Sequence, residues 1–232
     1  MKKHISLKLA VTAILFVFAA SCSHKVDYTV QQKQFTVSDS LITVKADYLE
    51  ISSTSPKLNT WLDSINNAIY NNIIAQKDTI RKFSTEDRMR FRESWPPYEL
   101  MVLDTVYLKN SNILSVLYTT YSFTGGAHGM TSFVGYNYDM VNQKELGVKD
   151  LFKPNTTEEI NKILAEYFTN PDNCFASRPT LQLASAVNLA FESFVFTYEQ
   201  YVLGAYACGP ATVTVPYIIL EKYLTNPLNL EL

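Results

Sequence analysis

Imidazole is scarce in this 232-residue chain, which holds three histidines: His4, His24 and His128. Only His128 has an unusual setting, Gly125-Gly126-Ala127-His128-Gly129, where three of just seven glycines fall within five residues. The common zinc hydrolases need two or three His ligands held together, usually with a carboxylate. No zincin spacing or cysteine cluster is present to supply them. A Ser or Cys nucleophile would have to use His128 as its base, and no Gly-x-Ser-x-Gly elbow exists to present one. The glycine-rich run also lacks the Lys-Ser/Thr pair and following helix that would place amide dipoles on a phosphate. Glu158-Glu159 open a helix, where they complement its dipole, and do not read as the carboxylate pair of a glycosidase. The residue types therefore predict no catalytic residues, no metal and no cofactor. The alternative is a cell-wall-active enzyme working through His128. For the glycines themselves, a backbone reason is favoured over ligand contact, since glycine permits positive φ and close approach of another segment.

The elements that must position this loop follow from periodicity. Residues 35–51 are rich in β-branched and aromatic side chains and predict one or two strands. Ser55-Pro56 is a helix start, with Leu58, Trp61, Leu62, Ile65, Ala68, Ile69 and Ile73 at helical spacing, so an amphipathic helix should lie on a sheet. Residues 77–97 mix charge with aromatics and read as a connector carrying a second, polar helix. Their basic strip is taken as a solvated face in preference to a site for an anionic glycan. Glu99–Leu108 and Ile113–Thr124 flank the turn-prone Lys109-Asn110-Ser111-Asn112 as a hairpin. Thr131–Asp139 is a further strand, and Thr156–Phe168 a helix capped by Thr156 or Asn155. One strand is expected at Val187–Tyr198, another at Ala211–Val215, and a last helix from Pro216. Helices and strands do not alternate regularly, so the fold class is α+β, with mainly antiparallel sheets and a few packed helices.

The chain opens with Lys2, Lys3 and Lys8, an apolar run from Leu9 to Ala20, and Ala19-Ala20-Ser21 directly before Cys22. That order is a signal peptide, and the run is short of the roughly 20 apolar residues that a membrane span needs. Ala19-Ala20-Ser21-Cys22 resembles a lipobox, with Ala19 where Leu is more usual. The reading is a lipoprotein leader over 1–21 and a membrane anchor through lipid on Cys22, the other reading being a free cysteine after an ordinary secretory site. Localisation is then the cell envelope, periplasmic or on the outer membrane. Cleavage removes three of the 20 Lys and Arg and none of the 22 Asp and Glu, which leaves a net charge of about −5. Nucleic acid needs a basic footprint and is excluded as a partner. The rest of the composition, 47% hydrophobic with 15 Tyr and 13 Phe, is that of a folded globular protein. Cys174 and Cys208 remain, in a compartment that permits disulfides. They either pair or stay as two buried thiols. Four Asp-Ser/Thr-aliphatic triplets, at Asp39, Asp63, Asp78 and Asp104, look like the O-glycosylation sequence of Bacteroidetes.

Several segments together are similar to a known arrangement. Tyr121-Ser122-Phe123-Thr124-Gly125-Gly126-Ala127-His128-Gly129, Asn137-Tyr138-Asp139, Lys144-Glu145-Leu146 and Lys149-Asp150-Leu151-Phe152 resemble, in order, the opening of the RsiV-like C-terminal domain family. Tyr201 to Pro210, with Tyr206 and Gly209, and then Val213-Thr214-Val215-Pro216-Tyr217 resemble its closing segments. The preceding strand, helix and hairpin resemble the PdaC-type N-terminal module. Gln143 stands where the family has glycine, Val202 where it has Glu, and Cys208 where it has alanine. The loss of the Glu removes a carboxylate that could have supported acid/base work.

The resemblance implies a division into leader 1–21, tether 22–34, PdaC-type module 35–120 and RsiV-like domain 121–232. It also implies a set of motif or ligand-binding residues: Gly125, Gly126, His128, Gly129, Asp139, Tyr201, Tyr206 and Gly209. The family includes anti-sigma-factor ectodomains that bind lysozyme, and envelope lipoproteins of unknown role. This chain reads as lacking a sigma-binding segment, a membrane span and a deacetylase catalytic domain. The expectation is a non-catalytic envelope binding module for a lysozyme-like protein or a peptidoglycan glycan, with a structural role in envelope assembly as a further alternative.

Overall fold

The computed structural model describes residues 26–91, 96–228 and 230. Cys22, its leader and Trp95 lie outside them. Strands β1 (Thr29–Ser38) and β2 (Ile42–Ser52) form a hairpin in continuous register, from Thr29 opposite Ser52 to Ser38 opposite Thr43. Asp39 makes its turn by accepting the N–H groups of Leu41 and Ile42 at 2.8 and 3.1 Å. The Arg81 guanidinium on Asp39, then those two amides, hold its carboxyl down at about 2. Because β1 begins at Thr29, residues 29–34, read as tether, are strand. Gln31, Gln32 and Lys33 are polar because β1 is an edge strand, and Lys33 pairs with Glu50 across the ladder at 2.9 Å.

Helix α1 (Pro56–Phe91) begins as expected, with the Ser55 carbonyl accepting the Asn59 N–H at 2.9 Å. It does not stop near Ile73: residues 77–91 of the segment read as a connector with a second helix are its continuation. Ile80 and Ser84 extend the buried stripe of Leu58, Leu62, Ile65, Ile69 and Ile73. Two of the basic residues bind the β1–β2 turn, Arg81 through Asp39 at 2.5 Å and Arg88 through the Ser40 carbonyl. These two have a structural use that the sequence did not signal.

The helix carries the chain to β3 (Tyr98–Lys109), which pairs parallel with β2 from Ile42–Tyr98 to Ala46–Val102. Strands β4 (Ile113–Phe123), β5 (Met130–Asp139) and the short β6 (Lys144–Glu145) follow antiparallel, giving a six-stranded sheet in sequential order. The division at 120/121 therefore falls inside β4, since β4 and β5 complete the sheet that β1 to β3 begin.

Beyond the sheet come α2 (Val148–Leu151), α3 (Thr157–Tyr167), β7 (Ala186–Ala190), β8 (Ser193–Tyr198), β9 (Ala211–Pro216) and α4 (Tyr217–Leu220). Thr156 holds the cap position of α3, but its hydroxyl donates to the Lys153 carbonyl and caps no helix N–H. The single strand expected over 187–198 is a hairpin, β7 and β8, with Glu192 at φ 48° in its turn. Its signal was only the polar pair Glu192-Ser193 between two apolar runs, with no glycine, proline or asparagine at the turn to mark it. Strands β7 to β9 form a separate antiparallel sheet. The α+β architecture with mainly antiparallel pairing is thus the one read from the sequence.

Two cores result. Leu62, Ile69 and Ile73 of α1 pack on Val44, Leu100, Val102 and Val116 of the first sheet. Phe194, Phe196 and Tyr198 of β8 pack with Leu164 of α3 and with Leu108 and Ile113 from the tip of the β3–β4 hairpin. Between the cores, β7 rests on the other face of β4 and β5. Its free edge finds side chains in place of a neighbouring strand. Asn137 donates to the Val187 carbonyl at 2.8 Å, and the Leu189 N–H is shared between Ser115 Oγ at 3.0 Å and Asn137 Oδ1 at 3.1 Å. Asn188 adds a bond to Ser115 at 3.1 Å. A buried strand edge without such partners would cost about 1–3 kcal/mol for each orphaned group.

Candidate functional site

The β4–β5 connection is tight because Gly125 and Gly126 take φ of 86° and 89°. Gly129 is buried, and a Cβ there would run into the Tyr121 ring of β4. His128 is thereby held at the start of β5, exposed, with its ring directed to the 201–209 segment. It stacks on Tyr206, centroids 3.7 Å apart and planes 16° from parallel. Its Nδ1 donates to the Gly129 carbonyl at 3.0 Å, which leaves Nε2 to accept from the Tyr201 hydroxyl at 3.2 Å. Tyr206 also donates to the Gly129 carbonyl at 3.0 Å. Both imidazole nitrogens are thus occupied, with the Tyr201 phenol as the side-chain partner and no carboxylate, serine or cysteine among them.

Tyr201 is 56% exposed and sits at φ 69°. A bulky side chain in the left-handed region costs roughly 1–2 kcal/mol, and such strain collects at functional positions. Its ring lies 5.6 Å from Tyr206. His128, Tyr201 and Tyr206 together form an open aromatic patch. Nearby, Glu199 accepts the Phe133 N–H at 3.1 Å, closing part of the β5 edge that β6 leaves unpaired.

The 201–209 segment is fixed from behind. Cys208 and Cys174, left open as a pair or two thiols, are joined by a disulfide, and Gly204 bridges to Phe175. Gly209, at φ 73°, ends the short 3-10 turn of Tyr206–Cys208. Val202 packs on the second core. Of the motif residues, the structure joins Gly125, Gly126, His128 and Gly129 with Tyr201, Tyr206 and Gly209. Asp139 stands apart at the other end of β5, about 30 Å along the strand. There it accepts the N–H groups of Val141 and Asn142 at 3.1 and 2.9 Å and shapes the β5–β6 turn. Gln143 in that turn has φ 53°, which explains glycine as the family's usual residue there.

Sequence reasoning missed Glu199 and the Ser115, Asn137 and Asn188 network. Asn188 did carry a signal, as the one polar residue in the run Ala186–Ala190. It also missed a groove of about 330 Å³ between α1 and the open part of β4–β5, lined by Asn72, Gln76, Thr79, Phe83, Thr120 and Ser122 and by no charged residue. Among the described residues, no three His, Cys, Asp or Glu are grouped to hold a metal, and no helix is long and apolar enough to cross a membrane.

Comparison with known proteins agrees with this geometry. Residues 36–131 match the family model described as Deacetylase PdaC, and residues 149–218 match that described as Protein of unknown function (DUF3298). No curated protein matches the chain in sequence. Among solved structures, a DUF3298 family member from Bacteroides fragilis is 19% identical with a TM-score of 0.72, the match covering 87% of this chain and 95% of that one. A DUF3298 family protein from Pseudomonas aeruginosa is 18% identical with a TM-score of 0.59, covering 86% and 94%. At these identities the likeness concerns the fold. Residues 36–131 are thus similar to a PdaC-type module and residues 149–218 to a DUF3298 domain, in that order along the chain.

Proposed function

We propose that this protein is a non-catalytic binding module of the cell envelope, anchored through lipid on Cys22, whose ligand is a lysozyme-like protein or a cell-wall glycan. The arrangement of His128 carries the reading. Its ring is exposed and stacked on Tyr206, one nitrogen is held by the Gly129 carbonyl and the other by the Tyr201 phenol, and no carboxylate, serine or cysteine side chain is among its partners to make the triad of an acyl-transfer or glycan-cleaving site. What the patch offers instead is exposed, rigid aromatic surface, the kind that anchors protein partners. The Tyr201 backbone strain fits a residue kept for contact. An acidic surface would attract a basic protein such as lysozyme, and the RsiV resemblance points the same way.

The test is capture of lysozyme and of peptidoglycan by the purified chain with Cys22→Ser, beside Tyr201→Asn. Asparagine tolerates the left-handed region, so this variant keeps the backbone and removes the ring. Retention of one of the two ligands by the parent, weakened roughly tenfold or more by Tyr201→Asn, is the expected result. Retention of neither ends the proposal. Turnover of peptidoglycan fragments that disappears in a folded His128→Ala variant would establish the enzyme instead.

A further inference from the structure

A second surface has the build of a ligand site and shares no residue with the aromatic patch. Helix α3 and residues 168–178 enclose a cleft of about 500 Å³, lined by Lys162, Glu166, Phe168, Phe175, Ser177 and Arg178 among others. Its loop wall is locked from several sides. Asn170 clasps the Phe175 backbone, its amide donating to the carbonyl at 2.8 Å and its oxygen accepting the N–H at 3.0 Å. The Ser177 N–H donates to the Leu203 carbonyl at 2.9 Å, Phe175 bridges to Gly204, and Cys174 is bonded to Cys208. Such a wall has little freedom left to lose when a ligand enters.

The chemistry of the cleft is selective. Neither Lys162 nor Arg178 enters an ion pair among the described residues, so both cations remain available. Glu166 is the one carboxylate in the lining, which leaves the cleft net positive on a chain of net charge −2. Phe168 and Phe175, with rings 5.5 Å apart, add an aromatic wall. An inorganic anion would use the cations and waste that wall, and a neutral sugar would do the reverse. We propose that the cleft binds a carboxylate-bearing sugar unit, with Arg178 and Lys162 on the carboxylate and the Phe168–Phe175 wall against the ring. Arginine's planar fork suits a carboxylate in particular.

The experiment is calorimetric titration of the whole chain with a galacturonic acid trimer, a galactose trimer and inorganic phosphate. The acidic trimer is expected to bind, at least roughly tenfold more tightly than either of the others, and less tightly as salt is raised. The Lys162→Ala/Arg178→Ala variant, altered only at exposed side chains, should keep its circular dichroism and lose roughly tenfold or more in affinity. Glu166→Gln should bind the acidic trimer more tightly. Equal binding of the two trimers, phosphate binding as tight as the acidic trimer, an unaffected double variant, or no binding at millimolar ligand would each overturn the assignment. Lysozyme capture through Tyr201 is untouched by any of these results.

Discussion

The amide oxygen of Asn188 lies 2.9 Å from the point that a Cβ on Gly135 would occupy. Ala186 Cβ and the Val187 carbonyl follow at 3.1 and 3.2 Å, so β7 crosses β5 where there is no room for a side chain. Gly135→Ala should push the second sheet off the first. A loss of about 1–3 kcal/mol in urea unfolding is expected, as for other overpacked sites. Faster hydrogen exchange of the Leu189 amide would locate the damage at this crossing, because that amide bonds only across it, to Ser115 and Asn137.

Asn137→Ala tests the same junction through hydrogen bonding. It strips the Val187 carbonyl of its donor and the Leu189 N–H of one acceptor. An expected cost of about 1–3 kcal/mol follows from leaving a buried polar group unsatisfied. Ser115→Ala removes the second acceptor, and because Ser115 also donates to Asn137 at 2.7 Å, the two variants should not add. A double-mutant cycle by chemical denaturation reads the coupling. Strict additivity would mean that the network is not a unit.

What the sequence makes legible here is whatever repeats locally. The β3–β4 hairpin, the start of α1 and the placement of α3 follow from periodicity and turn chemistry, and each stands within a residue or two of its expected place. The continuation of α1 past Ile73 was hidden because its buried stripe thins to Ile80 and Ser84 while Arg81 and Arg88 anchor it to the distant β1–β2 turn. At the site, the glycine-rich loop announced itself by composition, and only the resemblance pointed to residues 201–209. That His128 would spend both nitrogens on Gly129 and Tyr201 depends on a contact across 73 residues of chain, which no local pattern encodes. Asp139 looked equivalent to His128 in the motif and proved to be turn chemistry.

The disulfide gives a prediction that links stability to the patch. Closing a loop of 34 residues should stabilise the fold by about 3–4 kcal/mol if the effect lies in the unfolded chain. Cys174→Ser/Cys208→Ser should therefore lower the midpoint of guanidinium unfolding and remove its sensitivity to reductant. Tyr206 lies two residues from Cys208, so the variant should also loosen the stack on His128. The measurement is the ring-current shift of the His128 protons in NMR spectra, which should move toward the free-imidazole position. An unchanged shift would mean that Gly129 and Tyr201 hold the patch without help from the disulfide.

Buried phenols set the alkaline limit of the fold. Burial pushes Tyr28, Tyr118, Tyr138 and Tyr198 well above the ordinary value near 10. Tyr98 is pushed up to about 12, first by burial and then by its hydrogen bond to Asp87. In each case folding favours the protonated phenol. The stabilisation is complete below the unfolded value near 10 and is lost as pH rises through the folded value, since the unfolded chain then releases protons that the folded one retains. Stability should thus fall from about pH 10 upward, with Tyr98 contributing its share between about 10 and 12. The check is a spectrophotometric tyrosine titration run alongside circular dichroism, in which the buried phenols Tyr28, Tyr118, Tyr138 and Tyr198 should ionise only together with loss of structure. Tyr98→Phe cannot release a proton, so it should flatten the decline above pH 10. An unchanged slope in that variant would show that the Tyr98 phenol does not contribute to the limit.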